Sequence, residues 1–218
     1  MQTNSTIKLV IFDLWQTLVD IRCRPLEEIH RLSRVDVSFK QFVEDFKKSD
    51  LFLVDDHVEI LLGKFFEQYT SFSNLEQCVG RWKNIASEAY LYEETMNLVT
   101  SLKADYRLAM CTNVDKFGYE NFLFQNLFGH FDYIFASYQH GFKKPDTRCW
   151  EVISNHFPDV SYSEMLMVGD SEADDIVPAA SLGINTFHVS ESRGLKTLKK
   201  RMESTKNNPM PRLTIFDA

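Results

Sequence analysis

The chain has 218 residues, enough for one sizeable hydrophobic core or for a core with a small second domain. Apolar residues make up 44% and charged residues 25% of the sequence, as in ordinary globular proteins. The net charge of −7 disfavours a general nucleic-acid or anionic-membrane surface, because both need a basic excess. No apolar run reaches the length of a membrane span, and the four scattered cysteines fit a reducing compartment. We therefore expect a cytoplasmic protein that binds neither nucleic acid nor membrane.

The first part of the chain predicts a strand followed by a helical stretch. Residues 8–12 form a continuous apolar run, typical of a strand that is buried on both faces of a parallel sheet. From about residue 24 to residue 89 the pattern predicts no strand, and apolar residues recur at spacings of three and four. Amphipathic helices are therefore predicted in this stretch, over residues 25–32, 39–46, 58–66 and 75–85.

The remainder of the chain alternates between helical and strand patterns. Helices are predicted over residues 93–102, 117–127, 147–157 and 175–182, with a further solvated helix over 196–201. Strands are predicted over residues 107–111, 133–136, 165–168 and 184–189. This alternation predicts an α/β fold with a parallel sheet and right-handed crossovers. Residues 1–20 and 91–218 would form the α/β core, and residues 21–90 an inserted all-helical cap.

Polar residues follow directly on three of the predicted strands, where ligands of open α/β sheets are found. Asp13 and Asp170 would bring two carboxylates to one sheet edge, and such like charges need a cation between them. Hard oxygen ligands suit Mg²⁺. Thr112 and Asn113 could form an anion cradle, or could simply cap the following helix. Lys144, in a loop ahead of a helix, could neutralise a bound anion or could be solvated.

Two acidic residues, Asp174 and Asp175, lie at the start of the helix that follows Asp170. They could orient metal-bound water, or they could interact with the helix dipole without any metal. The dipole interpretation is preferred for Asp174, and both interpretations stay open for Asp175.

Taken together, these residues resemble the haloacid dehalogenase-like (HAD) hydrolase superfamily, whose four motifs occur in order. Phe-Asp-Leu-Trp-Gln-Thr-Leu at 12–18 is similar to the first motif, and Cys-Thr-Asn at 111–113 to the second. Lys-Pro-Asp at 144–146 is similar to the third, and Val-Gly-Asp-Ser-Glu-Ala-Asp-Asp-Ile at 168–176 to the fourth. The resemblance implies a Rossmann-like parallel-sheet core with a helical cap between the first two motifs.

The resemblance also implies a chemistry. Asp13 would be the nucleophile of a Mg²⁺-dependent hydrolase, forming an aspartyl-phosphate from a small phosphorylated substrate. Mg²⁺ would bind to Asp13, Asp170 and the backbone carbonyl of Trp15, with Asp175 as a second acidic position behind these ligands.

The transferring group would be bound by residues of the second and third motifs. The resemblance assigns this role to the Thr112 hydroxyl, the Asn113 backbone N–H and the Lys144 ammonium, and it makes Thr112 and Lys144 catalytic together with Asp13. For phosphoryl transfer such contacts supply positioning and charge neutralisation.

At one position the chain departs from the family pattern. Phosphatases of the family carry a second aspartate two residues after the nucleophile, which protonates the leaving group and later activates water. Here that residue is Trp15, and the glycine that usually follows is Gln16. Indole cannot transfer the proton, and general acid–base catalysis is typically worth ~10²–10⁴-fold.

Three hypotheses remain. In the first, the protein is a phosphatase for substrates with good leaving groups, such as acyl phosphates, or a phosphatase in which another group supplies the proton. Alternatively it is a dehalogenase, because family members that break carbon–halogen bonds have tyrosine at the position of Trp15. Those members lack the metal-binding aspartate that is present here as Asp170, so the phosphatase is preferred. Thirdly, it is a non-catalytic protein that binds phosphate or Mg²⁺. No oligomeric state is predicted.

Overall fold

The computed structural model describes residues 6–189 and 193–205. Its strands, in chain order, are β1 (Leu9–Phe12), β2 (Val19–Ile21), β3 (Ala89–Leu91), β4 (Arg107–Thr112), β5 (Tyr133–Ala136), β6 (Met165–Gly169) and β7 (Asn185–His188). Five of them form one sheet in the order β5-β4-β1-β6-β7, and every neighbouring pair is parallel. The predicted α/β fold with a parallel sheet is therefore confirmed.

Helices surround this sheet and fill the long connection between β2 and β3. In that connection lie α1 (Pro25–Ser33), α2 (Phe39–Lys48), α3 (Val58–Phe66) and α4 (Leu75–Glu88), which we call the helical segment. The later helices are α5 (Thr95–Lys103), α6 (Lys116–Glu120), α7 (Gln125–Phe128), α8 (Arg148–His156), α9 (Val177–Ser181) and α10 (Arg193–Thr205). None of the helices in the described residues is long and apolar enough to cross a membrane.

The central strand β1 is buried completely. Val10 and Phe12 pack into a hydrophobic cluster on one face of the sheet, and Leu9 and Ile11 into a second cluster on the other. Successive side chains of a strand point to opposite faces, so a strand that is covered on both sides must be apolar throughout. Asp13 is the next residue, and its N–H donates to the carbonyl oxygen of Val168 at 2.9 Å. The pairing of β1 with β6 therefore continues to the position of the carboxylate.

The helical segment has a hydrophobic cluster of its own, which includes Phe42, Phe66 and Trp82. It leaves and returns to the sheet through β2 and β3, which pair antiparallel with Ile21 opposite Ala89. The short β2–β3 pair was not among the predicted strands. The division of the chain into a core and a cap at residues 20/21 and 90/91 stays a prediction.

One predicted helix, residues 117–127, is wrong as a single element. The structure has α6 and α7 instead, separated by irregular chain. The Asn121 side chain donates to the Phe117 carbonyl oxygen and closes α6. Phe122 and Leu127 are both buried, and a spacing of five residues does not place two side chains on one face of a continuous helix. The break lets both side chains reach the same core.

Candidate active site

Three carboxylates meet at the carboxyl ends of two neighbouring strands. Asp13 follows β1, Asp170 follows β6, and Asp175 lies on the turn behind Asp170. One carboxylate oxygen from each lies within 4.8 Å of those of the other two. Parallel strands end at the same edge of a sheet, which brings Asp13 next to residues that lie 157 and 162 positions later in the chain.

Lys144 joins two of these carboxylates. Its Nζ lies 2.6 Å from Asp13 Oδ1 and 2.5 Å from Asp175 Oδ1, and all three side chains are at most 8% exposed. Burial alone would lower the pKa of Lys144, but the charges of Asp13 and Asp175 outweigh burial and raise it. The ammonium therefore stays protonated. We call Asp13, Lys144, Asp170 and Asp175 the charged cluster.

Two carboxylates of the charged cluster, those of Asp13 and Asp170, are harder to ionise than ordinary ones. Burial raises the pKa of Asp13 to about 7, against the opposing charge of Lys144 and with the support of the other two carboxylates. Burial and the charge of Asp175 also raise the pKa of Asp170. When all three are ionised, one ammonium leaves two negative charges uncompensated. A divalent cation would balance them, and carboxylate oxygens are the ligands that Mg²⁺ prefers.

Asp175 is held by an unusual turn. Residues Glu172–Ile176 form a single π-helical turn, in which the N–H of Ile176 donates back to the Ser171 carbonyl oxygen at 3.3 Å. Such turns are frequent at functional sites. The Ser171 N–H donates to Asp175 Oδ2 at 3.0 Å. Gly169 makes room for this carboxylate, because a Cβ at residue 169 would lie 2.4 Å from Asp175 Oδ2. Only glycine fits there without displacing Asp175.

Asp170 is supported by two residues that the sequence did not single out. The Thr17 hydroxyl, which is fully buried, donates to Asp170 Oδ1 at 3.4 Å. The His188 Nε2 lies 2.7 Å from the backbone oxygen of Asp170. His188 therefore contacts the backbone next to the charged cluster.

Thr112 and Asn113 lie at the same sheet edge, at the end of β4. Thr112 is fully buried, and its Oγ1 has no hydrogen-bond partner within the described residues. A buried hydroxyl of this kind is available to a ligand, since leaving it unpaired costs free energy. The Asn113 side chain binds the backbone of Lys144 twice, donating from Nδ2 at 3.0 Å and accepting at Oδ1 at 2.9 Å. Asn113 thus positions the loop that carries the lysine.

Trp15 lies beside the cluster, at the position that departs from the family pattern. Its ring is half-buried and packs edge-to-face on Phe122, with centroids 5.9 Å apart. Gln16 follows with a φ of 62°, in the left-handed region that favours glycine. The usual glycine at this position would adopt this conformation without strain.

A cavity of about 530 Å³ adjoins the charged cluster. Asn113 and Lys144 form part of its wall, and the helical segment supplies Phe46 and Trp82. Asp115 lies in the same wall and accepts hydrogen bonds from Trp82 Nε1 at 3.1 Å and from a backbone N–H. Burial raises the pKa of Asp115, against these hydrogen bonds. The cavity therefore lies between the helical segment and the sheet edge.

The structure thus brings Asp13, Lys144, Asp170 and Asp175 into direct proximity. Asp174 is half-buried at the cavity wall, where its backbone N–H donates to a serine hydroxyl. Sequence reasoning did not find Thr17, His188 or Asp115. Thr17 lies inside the first motif and could have been found there, but the other two have no signal in their local sequence.

This fold and cluster define a haloacid dehalogenase-like hydrolase. The model of that family, described as a haloacid dehalogenase-like hydrolase, matches residues 7–183. The chain belongs to this family, and the predicted resemblance is confirmed. No protein of the curated set matches the sequence.

Solved structures similar to the chain share its fold at low sequence identity. A haloacid dehalogenase-like family hydrolase from Xanthomonas campestris has a TM-score of 0.67 at 15% identity, covering 96% of this chain and 97% of that one. A HAD family enzyme from Bacteroides thetaiotaomicron, in complex with magnesium and inorganic phosphate, has a TM-score of 0.62 at 17% identity, covering 84% and 93%. A HAD phosphatase from Thermococcus onnurineus has a TM-score of 0.59 at 20% identity, covering 90% and 98%.

Proposed function

We propose that the protein is a Mg²⁺-dependent phosphatase that transfers the phosphoryl group of a small phosphorylated molecule to Asp13 and then to water. The observation that carries this proposal is the charged cluster, in which three carboxylates meet and one buried lysine pairs with two of them. The magnesium and phosphate bound by the Bacteroides enzyme, and the phosphatase named from Thermococcus, support it. We further propose a cytoplasmic location.

In this proposal each residue of the site has one task. Asp13 attacks phosphorus, and the bond to the leaving group breaks. Lys144 orients the Asp13 carboxylate and compensates the charge around it. The unpaired Thr112 hydroxyl and the Asn113 backbone N–H bind phosphoryl oxygens. Water then attacks the acyl-phosphate, which releases phosphate and restores Asp13.

The metal would be held by Asp13, Asp170 and the backbone carbonyl of Trp15, with Asp175 fixing Lys144 behind them. When bound, Mg²⁺ would supply positive charge next to the phosphoryl oxygens. The two uncompensated charges of the cluster and its hard oxygen donors fit such an ion.

Trp15 restricts which substrates react well. With no acid two residues after Asp13, a leaving group must depart without a proton, as the carboxylate of an acyl phosphate does. The rate should therefore depend steeply on the basicity of the leaving group. In the Trp15→Asp variant that dependence should flatten, because a carboxyl group is restored at this position. A parent enzyme without such dependence would show that another residue supplies the proton.

The central experiment measures phosphate release from acetyl phosphate and p-nitrophenyl phosphate with and without Mg²⁺. Asp13→Asn should lower the rate by at least about 10³-fold, as expected for loss of a nucleophile. Asp36→Asn removes an exposed carboxylate in the helical segment and serves as the matched control. Equal activity of the Asp13→Asn and Asp36→Asn variants would disprove the assignment of Asp13 as the nucleophile.

The aromatic ring of Trp15 is the observation that favours a second function, a dehalogenase. Halide leaves without a proton, so no acid is needed at this position. Metal-independent halide release from 2-chloropropionate would support it and overturn the phosphatase. Binding of Mg²⁺ without turnover of any of these substrates would indicate a non-catalytic binding protein.

A further inference from the structure

The cavity beside the charged cluster has an aromatic wall. Its volume of about 530 Å³ falls in the range of small-molecule sites, about 300–1,000 Å³. Asn113 and Lys144, which would bind the phosphoryl group, both border it, so the cavity opens onto the place where phosphate would bind. The aromatic residues in its wall are Trp15, Phe46, Phe52, Trp82 and Phe117.

The rings of the helical segment are held in place by one another and by Asp115. Phe46 lies with its centroid 5.7 Å from that of Phe52 and 5.4 Å from that of Trp82. The indole N–H of Trp82 donates to Asp115 at 3.1 Å. A wall fixed in this way is formed before a ligand arrives, which lowers the entropy cost of binding an apolar group.

The polar side chains of the same wall are partly engaged by the protein itself. Asp115 is already the acceptor for Trp82, and Lys143 donates to a backbone carbonyl oxygen at 3.1 Å. Lys47 is exposed and Asp174 is half-buried, so both reach water. Against the five rings a sugar or polyol would lose hydration, whereas an aromatic ring would gain from burial.

We propose that the organic part of the substrate is an aromatic group that packs against these rings, and that it leaves as an anion without a proton. This inference rests on the proposed phosphatase. An aromatic acyl phosphate is the simplest such substrate. The Asp13–phosphorus bond forms as the substrate's carboxylate leaves with its electron pair. Water then hydrolyses the aspartyl-phosphate to phosphate, the free Asp13 carboxylate and a proton. Trp15 bears on both parts of this proposal, because its ring forms part of the aromatic wall and because it stands where the acid that would protonate the leaving group usually lies.

The test compares benzoyl phosphate with acetyl phosphate, whose leaving carboxylates have similar basicity. We expect kcat/KM to be about 10–100-fold higher for benzoyl phosphate, mainly through KM, as burial of one aromatic ring allows. Phe52→Ala should lower this ratio, because Phe52 borders the cavity. Phe72→Ala removes a partly exposed ring of the same segment that stacks on Phe66 instead, and should leave the ratio unchanged.

The outcomes separate the inference from the function on which it rests. Asp13-dependent hydrolysis of acetyl phosphate with a ratio near one would overturn the aromatic substrate and keep the phosphatase. Hydrolysis of neither would overturn the phosphatase, and calorimetric titration with phenylphosphonate and methylphosphonate in Mg²⁺ then decides. Tighter binding of phenylphosphonate by about tenfold or more would support the aromatic site, and equal binding would overturn it.

Discussion

The charged cluster and the aromatic wall of the cavity adjoin each other but are built in opposite ways. In the cluster, Asp13 and Asp170 are each the first residue after a buried strand, so the sheet itself sets their places. In the wall, Phe46, Phe52 and Trp82 come from different parts of the helical segment, which touch only in the folded chain. In the proposed function the chemistry would thus depend on the sheet, and the choice of substrate on the helical segment.

The two regions also differ in what they contribute to stability. Aromatic pairs stabilise the fold beyond the area they bury, by about 0.5–1.5 kcal/mol each. A buried ionic cluster recovers its desolvation cost only when every charge has a partner, and it is strongly destabilised when one partner is lost. We therefore expect the cluster to respond to single substitutions more sharply than the wall.

The largest effect is expected for Lys144→Met. The substitution leaves Asp13 and Asp175 close together without their shared cation, and breaking a buried pair costs about 3–5 kcal/mol. Activity should be lost together with stability. Lys143→Met is the matched control, because its ammonium pairs with no carboxylate at ion-pair distance in the described residues. It donates to the Ser49 carbonyl oxygen and lies 5.5 Å from the centroid of the Phe52 ring, contacts worth about 1–2 kcal/mol together. Urea unfolding of both variants measures the difference, and equal losses would contradict the special position of Lys144.

Gly169→Ala tests the cluster through its backbone. The added Cβ would lie 2.4 Å from the Asp175 carboxylate, so Asp175 must move away from Lys144. Such overpacking costs about 1–3 kcal/mol, and the rate of phosphate release should fall with it. Gly80→Ala is the control, with an expected effect of opposite sign. Nothing lies within 4 Å of a Cβ added at residue 80, and alanine stabilises a helix by up to about 1 kcal/mol relative to glycine. A neutral Gly169→Ala would show that Asp175 is not confined.

The sheet and the charged cluster were largely predictable because their signals are local. The strand over residues 133–136 has the predicted bounds, and β4 and β6 each extend one residue beyond theirs. A buried strand is read from a short apolar run, and the polar residue that follows it marks the functional edge. Asp13 and Asp170 were found in this way.

The aromatic wall and the π-helical turn were not predictable, because both depend on contacts between residues that the local sequence does not reveal. The apolar residues Phe46 and Trp82 indicate a helix core and give no sign that their rings also border a cavity. Apolar spacing does not distinguish these roles. The turn at residues 172–176 replaces the start of the predicted helix 175–182, and its extra residue is set by the contacts of Asp175 with Ser171 and Lys144.

A smaller effect, in pH dependence, is expected for Asp115→Asn in the wall. Burial raises the pKa of Asp115 in the folded protein above its value in the unfolded chain. The carboxyl group of Asp115 therefore contributes most to stability at pH values below the unfolded pKa, and this contribution is lost as pH rises through the folded pKa. Asparagine does not titrate. The cost of the substitution, about 1–2 kcal/mol from the disturbed bond with Trp82, should therefore shrink between about pH 4.5 and about pH 7.5.

Asp159→Asn is the control with the opposite sign. The hydrogen bonds from Arg107 lower the pKa of Asp159, so its contribution is present above the unfolded value and is lost as pH falls. The cost of this substitution should stay constant or grow as pH rises. Free energies of unfolding at the two pH values measure both trends, and parallel trends would refute the role of burial at Asp115.

The smallest effect is expected for Gln16→Gly, at the residue that follows Trp15. Gln16 has a φ of 62°, and this left-handed conformation costs a non-glycine residue roughly 1–2 kcal/mol. Glycine removes that strain but has the larger entropy when unfolded, so the net change in the free energy of unfolding should lie within about 1 kcal/mol of zero.

Glu44→Gly, at an exposed position of α2 without such strain, should lower the free energy of unfolding by about 1 kcal/mol. If thermal unfolding shows the same loss for both variants, Gln16 is not strained, and the departure from the usual glycine has no energetic cost. If Gln16→Gly is close to neutral, the chain tolerates strain beside Asp13, which is where functional sites tend to hold it.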